Sequence, residues 1–446
     1  MAAYRYRMGS VQTKFLERCD AHVFRRISTG AAYKPKFSLG DPVFGDFNIE
    51  QVIDEYAHVP TKKLTMSDLL KFGRPPVPLS HLLENANTIR HALLCSLSRR
   101  AHALRSLPYI MMLNPNISTV YHKYLVSLHQ IHQSTTTTTG VVANLSTAEE
   151  NDDFVAALER MMDAHTDAVP VLAKGVSESS SYITPVHANR FLDAHMRDRI
   201  SVRLAASHHI ALTRDTNAAL GYRHDKHHHH HERLDRYVGV VDTKLRPSQM
   251  CLEVGAFLSE LSDLQYGVRP GIEVVVGEDV EVAYVPDHLE YILTEIIKNA
   301  FRASVEYAQG LTPTAEYRAK MSGGHNGSAS SSSVSTRLKK VQATIVRTAT
   351  GVQIRLRDQG GGIADRDLHR IWGYAESTFD EDVRDEGFKT LNAPPPSVTG
   401  IGGSSMGGLG YGLPLSRAYA EYFGGNLKLE SIYGWGTDAY ITINTP

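Results

Sequence analysis

The sequence of 446 residues and 49.3 kDa is too long for one ordinary hydrophobic core and predicts two domains. A formal net charge of −1 provides no basic field for nucleic acid, and no apolar run approaches the roughly 20 residues of a membrane span. The cysteines Cys19, Cys95 and Cys251 are too widely spaced for a metal motif or a disulfide framework, which is compatible with a reducing compartment.

Residues 1–50 form an N-terminal extension that is rich in arginine. This composition is compatible with a mitochondrial transit segment, but Glu17 and Asp20 are unusual in one, so composition alone leaves the assignment open.

Residues 51–236 show apolar side chains at spacings of three and four, which is typical of helices. The pattern runs through LSHLLENANTIRHALLCSLSRRAHAL, DFVAALERMMDAHTDAVPVLAKGVSES and HANRFLDAHMRDRISVRLAASHHIAL. Long helices joined by short links predict an antiparallel bundle.

Residues 237–446 have a different sequence pattern from the helical part, and they follow a break in composition at RHDKHHHHHERLDR. Its five adjacent histidines cannot all turn toward one metal ion, so we interpret them as a solvated loop. GIEVVVGEDVEVAYV and VQATIVRTATGVQIRLRD predict strands, LKLESIYGWGTDAYITI predicts a closing hairpin, and the Gly/Ser-rich segment 322–336 predicts a flexible insertion. This part is predicted as α+β, with helices on one side of a mixed sheet.

A narrow polar stripe marks the predicted helix DHLEYILTEIIKNAFRASVEYA. At about 100° per residue, four polar side chains fall within one arc of roughly 100°: Glu295, Lys298, Asn299 and Arg302. A solvated face would normally be broader, so we interpret this as a core helix with a functional stripe. A short surface stripe with an i,i+3 Glu–Lys pair is the alternative.

Three further segments bear on this stripe. RLRDQGGGI places Asp358 at a strand end, where a carboxylate can accept a hydrogen bond from an exocyclic amine, and its glycines Gly360 and Gly362 let the backbone approach a flat ring. GLGYGLPLSRA supplies glycines before a helix, whose free N–H groups can cradle phosphate. GWGTD offers the Thr437 hydroxyl at the adenine end.

Each of these signals is weak alone, but their order along the chain predicts a Mg-ATP site. In this site Asn299 holds Mg²⁺, and Glu295 orients or deprotonates an incoming hydroxyl at the γ-phosphate end. Lys298 and Arg302 neutralise phosphate charge or fix Glu295.

In this order of segments the sequence resembles the ATPase fold shared by gyrase, the ninety-kilodalton heat-shock chaperone, histidine kinases and MutL. Within that fold, EIIKNAFRAS, DQGGGI, GLGYGLPLSRAYAEYFGG and GTDAYI resemble the mitochondrial 2-oxoacid dehydrogenase kinases, and VPTKKLTMSDLLKFG, LPYIMMLNPNISTVYHKYL and RISVRLAASHHIAL extend the resemblance to the helical part. The resemblance implies nucleotide contacts at Glu295 through Arg302, Asp358, Ser377, Thr378, Gly408, Leu409, Gly410, Tyr411, Gly412 and Leu413.

The resemblance also implies a fold and a function. The fold is an N-terminal four-helix bundle that docks on a lipoyl domain, followed by a C-terminal α/β-sandwich ATP-binding domain. The function is that of an ATP- and Mg²⁺-dependent protein serine kinase of the mitochondrial matrix, which phosphorylates and inactivates the decarboxylase component of a 2-oxoacid dehydrogenase complex. Its implied partners are this decarboxylase and the lipoyl-bearing core, and homodimers are usual in the family. The run LPYIMMLNP is either the docking surface or core.

Two members of the family compete. Animal pyruvate dehydrogenase kinases carry a His one turn before the catalytic Glu, where this sequence has Tyr291, as the branched-chain ketoacid dehydrogenase kinases do. The pyruvate members also continue past the last strand into a tail with an Asp–Trp pair, which has no counterpart here. We therefore favour the branched-chain complex, with the pyruvate complex as the alternative.

A histidine kinase and a non-catalytic ATP-switched scaffold are more distant alternatives. A histidine kinase needs a phospho-accepting His, normally beside an acidic residue, whereas His208 and His209 have Ser207 and Ile210 as neighbours. We interpret both histidines as packing or hinge residues. Glu295 disfavours a scaffold, because a switch has no use for a base at the γ-phosphate.

Overall fold

The computed structural model describes residues 48–133, 144–221, 235–310, 338–374 and 410–445. The predicted extension up to residue 47, the His run and the predicted insertion 322–336 lie outside the described residues. The predicted domain boundary after residue 236 falls between the last long helix of the N-terminal half and the first strand, and stays a prediction.

The N-terminal half of the described chain is helical. Its elements are α1 (Ile49–Tyr56), α2 (Met66–Leu70), α3 (Leu79–Arg105), α4 (Tyr109–Met112), α5 (Pro115–Gln133), α6 (Ala148–Ala164), α7 (Ala168–Glu178) and α8 (Pro185–Ala219). Helices α3, α5, α6 and α8 pack side by side, and α7 packs against α5. Their contact faces carry fully buried side chains such as Leu97, Leu128, Phe154 and Leu212. The predicted bundle is therefore present.

One periodic segment of the sequence forms two helices. The pattern from Asp153 to Ser179 is interrupted between α6 and α7, where Asp167 precedes the first turn of α7. Pro170 lies in that first turn, where its missing N–H removes no helical hydrogen bond, whereas in a continuous helix it would remove one.

The C-terminal half is α+β, as predicted. Its elements are β1 (Tyr237–Val238), β2 (Val241–Leu245), α9 (Pro247–Tyr266), β3 (Ile272–Val276), β4 (Val282–Tyr284), α10 (Pro286–Gln309), β5 (Val341–Thr348), β6 (Gly351–Arg357), α11 (Asp365–Leu368), α12 (Gly412–Tyr422), β7 (Asn426–Ile432) and β8 (Gly436–Asn444). A mixed sheet has the strand order β3-β5-β6-β8-β7, and a small antiparallel sheet has the order β1-β2-β4.

Alternation along the strands separates the two faces of the five-stranded sheet. Ile354 lies opposite Ile345 on one neighbouring strand and opposite Ile441 on the other, and all three are buried, whereas Gln353 is exposed. The buried face is covered by α9, α10 and α12. This period-2 burial gives the two-layer sandwich that the strand patterns predict.

Helix α10 lies between α9 and α12 and also contacts β5 and β6. Its apolar side chains, including Ile292, Ile297 and Phe301, are fully buried. The polar stripe of α10 is therefore held by packing on several sides. No helix in the described ranges is both long and apolar enough to cross a membrane.

Candidate active site

The polar stripe of α10 is buried at its centre. Glu295 is 6 % exposed and Lys298 is 5 % exposed, and the Lys298 Nζ donates to Glu295 Oε1 at 2.6 Å. Asn299 is half-buried, and Arg302 is half-buried with its Nε 3.2 Å from Glu306 Oε1. The i,i+3 pair exists, but it is buried and therefore does not belong to a surface stripe. A buried carboxylate and a buried ammonium are costly unless they are paired, and here each is the partner of the other.

The first turn of α12 covers the Glu295 carboxylate. A Cβ atom added to Gly412 would lie 2.1 Å from Glu295 Oε2, so no side chain fits at residue 412 while Glu295 keeps its position. Gly410, two residues earlier, has a φ of 78°, which favours glycine. The glycine-rich approach to α12 thus lets the positive end of a helix lie directly against the stripe.

Asp358 is half-buried and lies directly after β6, where its Oδ1 accepts hydrogen bonds from the backbone N–H groups of Gly360 at 2.8 Å and Thr437 at 3.1 Å. Burial raises the pKa of Asp358 to about 6, and the two hydrogen bonds oppose this rise. Within the described part of the chain, the hydrogen bonds to this carboxylate end on Oδ1. The second oxygen is therefore placed to accept a hydrogen bond from a ligand.

The glycines after Asp358 allow their loop to pack closely against α10 and β7. A Cβ on Gly360 would lie 2.5 Å from the Cβ of Ala303 on α10, and a Cβ on Gly362, whose φ is 72°, would lie 2.3 Å from the carbonyl oxygen of Ile432. Both glycines are thus required by close contacts within the protein. Their predicted contact with a flat ring stays a prediction.

Ser431, on β7, contacts this loop, and the sequence analysis does not identify it. Its Oγ accepts a hydrogen bond from the backbone N–H of Ile363 at 2.7 Å and lies 3.0 Å from the Oγ1 of Thr437. Ser431 and Thr437 are cross-strand partners in the β7–β8 hairpin. The signal was the hairpin register, which places Ser431 opposite the predicted Thr437.

The remaining predicted residues divide into two groups. Ser377, Thr378, Gly408 and Leu409 lie outside the described residues. Gly410 and Tyr411 precede α12 and Gly412 and Leu413 begin it, and the buried ring of Tyr411 packs edge-on against Tyr374 with a centroid distance of 5.4 Å. The structure therefore brings the described members together on α10, the Asp358 loop and the start of α12.

Buried histidines of the bundle argue against a histidine kinase. Both ring nitrogens of His209 have partners, Asn85 at 3.1 Å and Asn151 at 3.0 Å, and burial lowers its pKa to about 4. His208 accepts a hydrogen bond from the backbone N–H of Val240 at 3.4 Å, and burial lowers its pKa to about 3. Neither ring is exposed to receive a phosphoryl group, which agrees with their interpretation as packing residues.

Comparison with known proteins agrees with this arrangement. Residues 63–242 match the family model described as mitochondrial branched-chain alpha-ketoacid dehydrogenase kinase. Residues 284–446, which include α10, the Asp358 loop and α12, match the family model described as histidine kinase-, DNA gyrase B- and HSP90-like ATPase.

Three curated relatives extend the similarity over most of the chain. Mitochondrial [pyruvate dehydrogenase (acetyl-transferring)] kinase 1 of Saccharomyces cerevisiae is 26 % identical over 90 % of this chain and 88 % of its own. The mitochondrial [pyruvate dehydrogenase (acetyl-transferring)] kinase of Arabidopsis thaliana is 27 % identical over 84 % of this chain and 88 % of its own. Isozyme 4 of the kinase from Rattus norvegicus is 26 % identical over 88 % of this chain and 83 % of its own. This chain therefore belongs to the 2-oxoacid dehydrogenase kinases, a family of ATP-using protein kinases built on the histidine kinase-like ATPase fold.

Proposed function

We propose that this kinase transfers the γ-phosphoryl group of Mg-ATP to a serine in the decarboxylase component of the pyruvate dehydrogenase complex and thereby inactivates the complex. The observation that carries the proposal is the buried Glu295–Lys298 pair on α10. It lies beneath the first turn of α12, on the helix against which the Asp358 loop packs.

Glu295 is the general base of this proposal. One of its carboxylate oxygens is bound by Lys298, and the other faces Gly412 at the N-terminus of α12. This arrangement fixes the carboxylate in one orientation, as a base must be fixed to take the proton of an incoming serine hydroxyl. Arg302, one helical turn after Lys298, adds positive charge on the same face.

Asp358 and Thr437 form the adenine end of the site. The Thr437 N–H holds the Asp358 carboxylate in place, so the carboxylate can accept a hydrogen bond from the exocyclic amine of adenine. Asp358 and Thr437 lie at the far end of the loop that packs on α10. We therefore assign the phosphates of the nucleotide to the glycines that lead into α12, at the N-terminus of that helix.

Asn299 fits a magnesium ion that arrives with the nucleotide. The described residues contain no group of three or more His, Cys, Asp or Glu side chains that could hold a metal. Mg²⁺ bound with phosphates needs only one or two protein oxygens, and the Asn299 amide has no hydrogen-bond partner within the described ranges. When bound, Mg²⁺ neutralises charge on the transferred phosphoryl group.

The choice of complex is supported by the relatives. The yeast, plant and rat proteins are all named pyruvate dehydrogenase kinases, so we now place the pyruvate complex before the branched-chain complex that the sequence motifs favoured. The branched-chain complex remains the second candidate. It is supported by the description of the family model that matches the bundle and by Tyr291, whose buried ring packs against Tyr419 at 4.9 Å.

We also propose that the end of the bundle near α4 docks on the lipoyl-bearing core. Met111 of this segment is buried, whereas Tyr109 is 79 % exposed and Leu113 is 51 % exposed. Exposed apolar side chains next to each other are typical of a protein interaction site. A homodimer in the mitochondrial matrix completes the proposal, in keeping with the mitochondrial names of the relatives.

The test compares label incorporated from γ-labelled ATP into the pyruvate and branched-chain decarboxylases, each with and without its lipoyl-bearing core. We expect serine phosphorylation of the pyruvate decarboxylase, accelerated by its core because tethering raises the local substrate concentration. Labelling of the branched-chain decarboxylase alone would overturn the choice of complex. A core that accelerates the Tyr109→Ser variant as much as the wild type would overturn the docking surface.

A further inference from the structure

We infer that the bundle helix α8 positions α12 over Glu295, with Asp193 and Arg197 as positioning residues for phosphoryl transfer. The inference rests on the proposed kinase function and concerns the control of the same site. It is carried by two sets of contacts, one near each end of α12.

The first set is an ion-pair network between α8 and the C-terminal part of α12. The Arg197 guanidinium bridges two carboxylates, with its Nε 2.8 Å from Asp193 Oδ2 and its Nη2 2.7 Å from Glu421 Oε2. On α12 itself, Arg417 Nε lies 3.5 Å from the other carboxylate oxygen of Glu421. Burial lowers the pKa of Arg197, but the hydrogen bonds to Asp193 and Glu421 raise it by more than burial lowers it. The pKa of Arg197 is therefore above its usual value.

The second set holds the residues that precede α12. The backbone N–H of Tyr374 donates to Asn189 Oδ1 at 2.8 Å, and its hydroxyl donates to Asp193 Oδ1 at 3.3 Å. The Tyr374 ring packs against Tyr411, which immediately precedes Gly412. Asp193 therefore takes part in both sets of contacts, through one oxygen to the network at Arg197 and through the other to Tyr374.

These contacts reach the catalytic carboxylate through α12. A helix of 11 residues is about 16 Å long and moves as a unit, so a tilt set at Glu421 displaces Gly412 at the other end. Gly412 lies directly against Glu295, because a Cβ added to it would lie 2.1 Å from Glu295 Oε2. The hydrogen-bond contact between Ser201 on α8 and Tyr422 on α12, at 3.1 Å, adds a further connection.

The consequence is that the bundle and the active site share one contact surface. A bundle partner that shifts α8 changes the position of the α12 N-terminus relative to Glu295, and it thereby changes the rate of transfer. Such coupling requires no contact between the partner and the nucleotide.

The experiment uses the full-length enzyme and the Arg197→Met variant. We expect its kcat for decarboxylase phosphorylation to fall by about five- to tenfold, the usual size of coupling between sites. We expect its Tm to stay within about 3 °C of wild type, because half-exposed ion pairs contribute little to stability. Arg197→Lys retains a cation between the two carboxylates and should restore most of the rate.

Arg214→Met is the matched control. Arg214 also lies on α8, but it pairs with Glu159 of α6 at 2.6 Å, within the bundle and away from α12. This variant should keep the wild-type kcat. In the pair Arg197→Met and Glu421→Gln, the double variant should lose no more rate than the single variants, because both remove the same connection.

Two results would overturn the inference. One is a wild-type kcat in Arg197→Met. The other is a parallel loss of rate and Tm that Arg197→Lys does not restore, which would show a purely structural role. A wild-type enzyme that labels no decarboxylase would instead contradict the proposed function, so the two failures are distinguishable.

Discussion

Replacing Gly412 by alanine should impair catalysis without preventing folding. The added Cβ would lie 2.1 Å from Glu295 Oε2, far inside the roughly 3.5 Å at which nonbonded atoms are comfortable. The carboxylate must therefore move by about 1 Å, although its other oxygen is held by Lys298 at 2.6 Å. A misplacement of about 1 Å costs on the order of 10²-fold in rate, so we expect kcat to fall about 100-fold.

Stability should fall only modestly in this variant, because the overpacked contact costs about 1–3 kcal/mol and the better helix propensity of alanine offsets part of that cost. Gly412 is the first residue of α12, and glycine within a helix is up to about 1 kcal/mol less favourable than alanine. Labelled phosphate incorporation gives kcat, and calorimetry gives Tm. Gly271→Ala is the control, because its added Cβ would meet Lys340 Cγ at an ordinary 3.4 Å and should change neither quantity.

A double variant tests whether Gly412 acts through Glu295. In the Glu295→Gln background, where the base is already lost, Gly412→Ala should cause little further loss of rate. Equal fractional losses in both backgrounds, or a wild-type rate in Gly412→Ala, would refute this reasoning.

Three further outcomes are expected. Asn299→Ala should abolish Mg-ATP binding in isothermal titration, because Mg²⁺ demands oxygen ligands; unchanged affinity would remove Asn299 from the site. The affinity for Mg-ATP should fall as the pH is lowered through about 6, since Asp358, whose pKa burial raises to about 6, must be ionised to accept a hydrogen bond, and Asp358→Asn should bind weakly without this pH dependence. Lys298→Met should lower the free energy of unfolding by about 3 kcal/mol because it leaves a buried charge unpaired, whereas Lys428→Met, which breaks the exposed Lys428–Glu430 pair, should cost less than about 1 kcal/mol.

Local patterns made much of the fold predictable from the sequence. The stripe on α10 follows from a period of 3.6 residues, and the sheet face follows from alternation in β5 and β6, because both depend only on neighbours in the chain. The break between α6 and α7 does not follow from the apolar period, because that period continues across it.

Contacts between distant segments could not be predicted in this way. The approach of Gly412 to Glu295 joins residues more than 100 positions apart, and no periodicity specifies it. The same holds for the Arg197 bridge to Glu421, because any surface arginine offers the same sequence signal. The sequence predicts that the glycines after Asp358 let the backbone approach a flat ring of a ligand. The structure shows that Gly360 and Gly362 are required by contacts with α10 and β7.

The most direct test of the central claim is transfer of label from γ-labelled ATP by the wild type and by Glu295→Gln, with Mg-ATP binding measured in parallel. The account predicts acid-stable phosphoserine on the decarboxylase with the wild type. It predicts a loss of roughly 10²-fold or more with Glu295→Gln, the usual size of a lost general base, at nearly unchanged Mg-ATP affinity. Equal labelling by the two proteins, or acid-labile label on the kinase itself, would contradict it.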